Sequence, residues 1–139
     1  MIVAYAKSKP IETIKEHTNK VLEELNILRK LYGKRILENK EIDEEKFWLT
    51  LKIACQYHDC GKIFTPFQNQ ILQKLGEELI ETEFNYEIKH EQLSPLFIPQ
   101  DLINKLDKPH QKILLQSIYY HHERDSMQPS PEVIEKIWQ

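Results

Sequence analysis

The sequence predicts a single all-α domain, and three observations lead to this fold class. Only 3 of the 139 residues are glycine, whereas the helix-favouring residues leucine, glutamate and lysine are abundant. Apolar residues recur three, four or seven positions apart in several segments, as expected for the buried face of a helix. No set of paired strands, internal repeat or linker is recognisable. The length suits one domain with its own core.

The first predicted elements are a short extended arm over the first ten residues, with apolar residues 2–5, and a helix over residues 12–32. Gly33 is the expected C-terminal stop of this helix, because glycine readily adopts the left-handed conformation. His17 falls on the apolar face of the helix. The apolar positions of that face are Ile14, Val21, Leu25, Leu28 and Tyr32.

The second and third helices are predicted over residues 44–59 and from Thr65 onward. His58 falls on the apolar stripe of the second helix, which is expected to end at Gly61 in a left-handed turn. Thr65 and Gln68 have the spacing of a capping box, which is typical of a helix start.

The remaining predicted elements are one loop and three helices. Residues 76–89 are acidic and weakly periodic, so we expect a loop or a frayed helix end there. A short helix is predicted over residues 90–97. Asp107 is expected to cap a helix that begins near Pro109, and Ser130 to start a last helix.

Charge and composition exclude several classes of protein. The net charge of -3 excludes a polybasic nucleic-acid clamp. No signal peptide and no apolar run of about 20 residues is present, so no membrane partner is expected. Cys55 and Cys60 show no disulfide or zinc pattern and fit a reducing cytoplasm, which is the predicted location. The candidate cations for local DNA contacts are Lys7, Lys9, Lys62 and Arg124.

Five of the six histidines occupy positions that indicate a metal site. A single histidine on an apolar helix face is more often a core residue. Here both His17 and His58 lie on such faces, and each buried ring needs partners for two nitrogens. The pair His58-Asp59 is followed by glycine and lysine, so that residues 58–62 read HDCGK. The other three histidines are His90, His121 and His122.

The last three histidines also have simpler interpretations. His90 could be an exposed residue in a first helical turn, and His121 with His122 could complement the negative end of a helix dipole. Together with Asp59, however, the histidines form a donor set that suits Mn, Fe, Co, Ni or Zn rather than Ca. Such a site can activate a water and stabilise the charge that develops on a phosphoryl group. No GxSxG, Walker or dinucleotide motif indicates another chemistry.

The order of these motifs resembles the HD superfamily of metal-dependent phosphohydrolases. More closely, it is similar to the HD nuclease domain of CRISPR-associated systems, the nuclease partner of the interference helicase. The resemblance covers residues 5–125 and depends on four motifs. These are EHT around His17, HDCGK at residues 58–62, KHEQLS with His90, and YYHH ending at His122.

This resemblance implies one HD-type helical domain over residues 1–139, with a metal site at the centre of its bundle. It implies two divalent transition metal ions, with Mn, Fe, Co or Ni preferred and Mg as an alternative. The implied activity is hydrolysis of phosphodiester bonds in single-stranded DNA during CRISPR antiviral defence. The implied partners are a fused or separate helicase and, through it, the RNA-guided surveillance complex.

The resemblance also implies a role for each site residue. His17, His58 and Asp59 would hold the first ion, and Asp59 would bridge to a second ion. Lys62 would lie beside the substrate phosphate, so that Asp59 and Lys62 are the implied catalytic residues. The implied ligands of the second ion are Asp59, His90, His121 and His122.

One departure from the family pattern concerns the first ion. The pattern has a further Asp on a later helix, but only Asp125 follows the double histidine, and it lies too close to His122 to be an equivalent. We therefore expect that a ligand of the first ion is missing up to Gln139 and that the natural chain continues beyond it.

Two other functions remain open at this point. The same site chemistry would serve an HD-type phosphohydrolase of nucleotides or cyclic nucleotides. A non-catalytic binding module that keeps the fold is the third interpretation, since it would tolerate the missing carboxylate.

Overall fold

The computed structural model describes residues 3–84 and 88–122, and the predicted helical fold is confirmed within these ranges. The predicted last helix from Ser130 lies outside the described residues. Two 3-10 helices, Cys60–Ile63 and Ser94–Phe97, follow the second and fourth α-helices. The α-helices are α1 (Ile14–Leu37), α2 (Glu44–Tyr57), α3 (Thr65–Leu75), α4 (His90–Leu93), α5 (Gln100–Asn104) and α6 (Lys108–Tyr119).

Two short strands correct the expectation that the chain has no paired strands. β1 (Tyr5–Ser8) and β2 (Ile11–Thr13) form an antiparallel hairpin in which Lys7 lies opposite Glu12. Both strands are too short to show a clear alternation of apolar and polar residues, which is the signal on which strand prediction depends. The hairpin packs against the start of α1 and against α3.

Helix α1 begins with a capping box formed by Thr13 and Glu16. Thr13 Oγ1 accepts a hydrogen bond from the backbone N–H of Glu16 at 3.1 Å, and Glu16 Oε2 accepts one from the N–H of Thr13 at 2.8 Å. Gly33 does not end the helix, so the predicted stop is wrong. A Cβ at Gly33 would lie 3.3 Å from Cζ2 of Trp48, so this glycine serves the close approach of α1 to α2.

Helix α3 has no side-chain cap, which corrects the predicted capping box of Thr65 and Gln68. The buried Gln68 instead accepts a hydrogen bond from the N–H of Tyr5 at 2.8 Å. Its amide also donates to the carbonyl groups of Tyr5 at 2.9 Å and Lys62 at 2.6 Å. Gln68 therefore ties the hairpin to the segment that holds Lys62.

The hydrophobic core lies between α2 and α6. Ile53 of α2 packs with Leu114 and Ile118 of α6, and these three side chains are almost fully buried. Ile98 and Leu106 complete the cluster from the segments around α5. This packing holds the C-terminal ends of α2 and α6 in fixed relative positions.

Part of the predicted apolar face of the first helix is not buried. Leu28 and Tyr32 are exposed, while the neighbouring Gly33 packs against Trp48 of α2. Helix α5 was not predicted, since five residues are too few to show a helical period.

The predicted loop after α3, within its described residues, and the predicted cap Asp107 are confirmed. Residues 77–84 and 88–89 contain no helix or strand. The Asp107 side chain accepts a hydrogen bond from the backbone N–H of His110 at 3.0 Å and so caps α6. Among the described residues, no helix combines the length and the apolar character needed to cross a membrane.

Candidate metal centre

The six predicted ligands come together where the ends of four helices meet. His17 lies in the first turn of α1, and His90 is the first residue of α4. The remaining four follow the C-terminal ends of α2 and α6. They are His58 and Asp59, and His121 and His122.

Asp59 occupies the centre of this cluster, where it is 2% exposed. Its Oδ2 atom lies 3.3 Å from Nε2 of His17 and 3.3 Å from Nε2 of His58. Its Oδ1 atom lies 3.2 Å from Nε2 of His90 and 3.5 Å from Nε2 of His121. The two carboxylate oxygens therefore face two different sets of histidines.

Two groups of donor atoms, each able to hold a metal ion, share Asp59. In the first group the donor atoms of His17, His58 and Asp59 lie within 4.8 Å of one another. In the second group His122 adds a fourth donor, and its Nε2 lies 2.9 Å from Nε2 of His90. This division has the form that the resemblance implied, while the number of ions stays a prediction. The second group consists of Asp59, His90, His121 and His122.

In two of the histidine rings, the hydrogen bond made by Nδ1 determines whether Nε2, which faces Asp59, carries a proton or a lone pair. Nδ1 of His58 lies 2.7 Å from the carbonyl oxygen of Cys55, and Nδ1 of His121 lies 2.6 Å from that of Ile118. Because a carbonyl oxygen only accepts, Nδ1 donates in both pairs, and a neutral ring has its lone pair at Nε2. When this lone pair lies next to a carboxylate oxygen, two hydrogen-bond acceptors face each other without a proton between them. A cation bound between the two acceptors would remove this repulsion.

A divalent cation fits these residues. Oδ1 of Asp59 and Nε2 of His121 are buried and have no hydrogen-bond partner in the described part of the chain. Buried polar atoms normally have a hydrogen-bond partner, so two buried atoms without one that face each other indicate a site for an ion. Imidazole and carboxylate donors together suit a divalent transition metal.

Two carboxylates without a role in the sequence analysis face the outer side of ligand rings. Oε2 of Glu12 lies 3.6 Å from Nδ1 of His17, and Oε2 of Glu91 lies 3.4 Å from Nδ1 of His90. Both glutamates are buried. A carboxylate in this position orients a ligand histidine and increases its basicity. Glu91 was visible within the KHEQLS motif, whereas Glu12 reaches His17 only through the hairpin.

Two lysines keep Glu12 ionised. Nζ of Lys7 lies 2.7 Å from Oε2, and Nζ of Lys20 lies 2.9 Å from Oε1. Hydrogen bonds from these two lysines lower the pKa of Glu12 to about 2. The charge of Lys7, one of the candidate DNA contacts, is therefore partly neutralised within the protein.

Asp59 is ionised despite its burial. Burial opposes the charge, but the close contacts with His121, His58 and His90 outweigh it and hold the pKa of Asp59 well below its usual range. Burial also opposes protonation of His58, and the contact with Asp59 outweighs that and raises the pKa of His58. Nζ of Lys62 lies 2.9 Å from Oδ2 of Asp59 and adds a positive charge beside the cluster.

Gly61 serves close packing rather than the predicted left-handed turn, since Gly76 is the one glycine with positive φ among the described residues. The N–H of Gly61 donates to Ser94 Oγ at 2.8 Å, and the Ser94 hydroxyl donates to the His90 carbonyl at 2.8 Å. A Cβ at Gly61 would overlap the His90 carbonyl group. Gly61 and Ser94 therefore hold His90 against the segment that carries Asp59.

A comparison with protein families agrees with this geometry. The sequence model of a family described as Cas3, HD domain, matches residues 15–137. The chain belongs to the Cas3 HD family. The matched range contains all six predicted ligands and Lys62, and the resemblance inferred from the motifs is confirmed. No curated protein and no solved structure gave a significant match.

Membership of the Cas3 HD family makes the chain a metal-dependent hydrolase of CRISPR defence. Its histidine and aspartate cluster can hold divalent metal. His110, the sixth histidine, bonds to Asp107 and belongs to neither donor group. Arg124 and Asp125 lie outside the described residues.

Proposed function

We propose that the chain is a nuclease that hydrolyses phosphodiester bonds of single-stranded DNA, with two divalent transition metal ions as cofactors. The observation that carries this proposal is the central Asp59, whose two oxygens face separate groups of histidine donors. A carboxylate shared in this way is the form of a two-ion centre for phosphoryl chemistry.

In this proposal the residues of the cluster have separate roles in metal binding, charge stabilisation and ligand orientation. Asp59 and the histidines bind the ions, and Mn, Fe, Co and Ni suit these donors. Bound ions supply the Lewis acid that activates water and neutralises charge on the phosphoryl oxygens. Lys62, whose Nζ already pairs with Asp59, provides a further positive charge for the substrate phosphate. Glu12 and Glu91 orient the rings of His17 and His90.

The exposure of the cluster supports a polymer as the substrate. The side chains of His17, His58 and His121 are 26%, 18% and 19% exposed, while Asp59 beneath them is 3% exposed. A phosphodiester within an extended strand can therefore approach the exposed edges of the histidine rings without being enclosed on all sides. A fully closed chamber would instead favour a free nucleotide.

The charge distribution supports delivery of the strand by partners. The net charge is -3, and Glu12 partly neutralises Lys7 and Lys20. Tight DNA binding needs several free lysines or arginines along one groove. We propose that a helicase, fused or separate, delivers the strand to this domain and connects it with the RNA-guided surveillance complex.

The proposal is tested with labelled single-stranded DNA and Mn, Co or Ni. We expect cleavage by the wild-type protein and a loss of about 100-fold or more for Asp59→Asn, since this change removes the charge shared by both donor groups. Asp101→Asn, at an exposed carboxylate of α5, is the matched control and should cut normally. Intact DNA with metal-loaded protein, or release of phosphate from nucleotides alone, would refute the proposal.

A further inference from the structure

A small cavity adjoins the metal centre on the side of His90. It lies between the start of α3 and the start of α4 and has a volume of about 180 Å³. Its walls include Pro66, Phe67 and Ile88, and His90 belongs both to these walls and to the group of four donors. A substrate held at the donor group therefore lies next to this cavity.

Phe67 connects the cavity with the centre. Its ring packs edge to face against the ring of His90, with 5.6 Å between the centroids. The Nζ atom of Lys62 lies over the same ring at 5.6 Å from its centroid. Phe67 thus contacts one residue from each side of Asp59, although neither the motifs nor the proposed mechanism uses it.

We propose that this cavity binds one nucleobase of the DNA strand, stacked against Phe67, while the neighbouring phosphate lies at the metal centre. This inference rests on the proposed nuclease function. The cavity is smaller than the pockets of about 300–1,000 Å³ that enclose a whole drug-sized ligand, so it fits one planar ring. Proline, phenylalanine and isoleucine offer an apolar surface that suits the face of a base.

The chemistry of this subsite is tolerant of sequence. Every base has a π face, so stacking on an aromatic ring anchors a strand without selecting one base. Lys62 lies over Phe67 and beside Asp59, so its charge is available to the phosphate adjacent to the stacked base. The stacked base fixes which phosphodiester lies at the cluster, which a chain with a net charge of -3 cannot do by charge alone.

A set of oligonucleotides with a single abasic site, moved stepwise along the strand, tests the subsite. Binding is followed by fluorescence anisotropy and cleavage by kcat/KM, for the wild type and for two variants of Phe67. Phe67→Leu keeps an apolar side chain against His90 but removes the aromatic face. Phe67→Tyr keeps the ring and is the matched control. Ile88→Trp, which fills the cavity from another wall, is a second blocking variant.

We expect one abasic position to weaken binding by about 10-fold in the wild type and in Phe67→Tyr. Phe67→Leu and Ile88→Trp should bind intact DNA about 10-fold more weakly and lose nothing further at that abasic position. Thermal melts and metal titrations of the variants establish that fold and metal binding are retained.

Two results would overturn the subsite. One is a wild-type protein that is indifferent to the abasic site at every position. The other is an equal abasic penalty in Phe67→Leu and wild type. If either occurs while the wild-type protein still cleaves DNA, the subsite fails and the nuclease proposal stands. Absence of cleavage together with a position-specific abasic penalty in binding would instead refute the nuclease proposal and retain the subsite.

Discussion

Replacing Gly61 with alanine tests how the metal centre is assembled. The N–H of Gly61 and the hydroxyl of Ser94 form a short chain of hydrogen bonds that ends at the carbonyl group of His90. The backbone of Gly61 lies against that of His90 with no room for a side chain. Gly61→Ala therefore acts on the distance between Asp59 and His90 without changing any ligand.

The size of the effect follows from the contacts of the added Cβ. It would lie 2.9 Å from the carbonyl carbon of His90 and 2.9 Å from the backbone nitrogen of Ser94, and it would overlap the carbonyl oxygen of His90. Since carbon atoms pack at about 3.5–4.0 Å, α4 must move by about 1 Å. Overpacking of this kind costs about 1–3 kcal/mol of stability. A 1 Å displacement at a reacting centre costs about 100-fold in rate.

The assay measures kcat/KM for labelled single-stranded DNA with saturating Mn and, separately, stability by urea denaturation. Gly76→Ala is the matched control, because its Cβ would meet no atom within 4 Å. Its positive φ of 70° still makes alanine unfavourable by about 1–2 kcal/mol, so it loses stability far from the cluster. We expect both variants to be less stable and only Gly61→Ala to lose about 100-fold in activity.

Either of two outcomes would refute this reasoning. Wild-type activity in Gly61→Ala would mean that the position of α4 does not control the centre. An equal loss of activity in Gly76→Ala would mean that general destabilisation, rather than displacement of His90, explains the effect.

Three further predictions concern metal affinity and stability. Glu12→Gln should weaken Mn binding about 10-fold in calorimetry by removing the charge behind His17, whereas Lys7→Ala, which leaves that carboxylate in place, should not. Mn affinity should fall between about pH 8 and pH 5, because protonation of His58, favoured by Asp59, competes with the metal; constant affinity would contradict this. Hydrogen bonds from His110 lower the pKa of Asp107 from 3.8 to about 2. Asp107→Ala should therefore lower the urea midpoint at neutral pH, and the difference from wild type should shrink as the pH falls below 3.8 towards 2; a difference that stays constant would exclude this cause.

The sequence alone determined which residues belong to the cluster. The types of donor residue and the local motifs can be identified directly from the sequence. The motif HDCGK at residues 58–62 and the amphipathic helix before it can be recognised without knowing any contact between distant residues. The helices that precede His58 and His121 were likewise predictable, because the spacing of apolar residues reflects the contacts between neighbouring helical turns.

Residue roles that depend on packing between distant segments could not be predicted from local sequence patterns. Gly33 and Gly61 looked like helix stops, yet both are places of close approach, to Trp48 and to the backbone of His90. Gln68 looked like part of a capping box and instead bonds to Tyr5, 63 residues earlier. Local patterns predict turns and caps, since these involve residues that are neighbours in sequence.

The arrangement around Asp59 is the clearest case of what only the tertiary structure decided. The resemblance implied a bridging carboxylate, but only the packing of α1, α4 and α6 against α2 and the 3-10 helix after it directs Oδ2 towards His17 and His58 and Oδ1 towards His90 and His121. Along the chain, Asp59 is 42 positions from His17, 31 from His90 and 62 from His121, so these distances depend on how whole helices pack. The sequence determined the donors, and the fold determined which oxygen each donor faces.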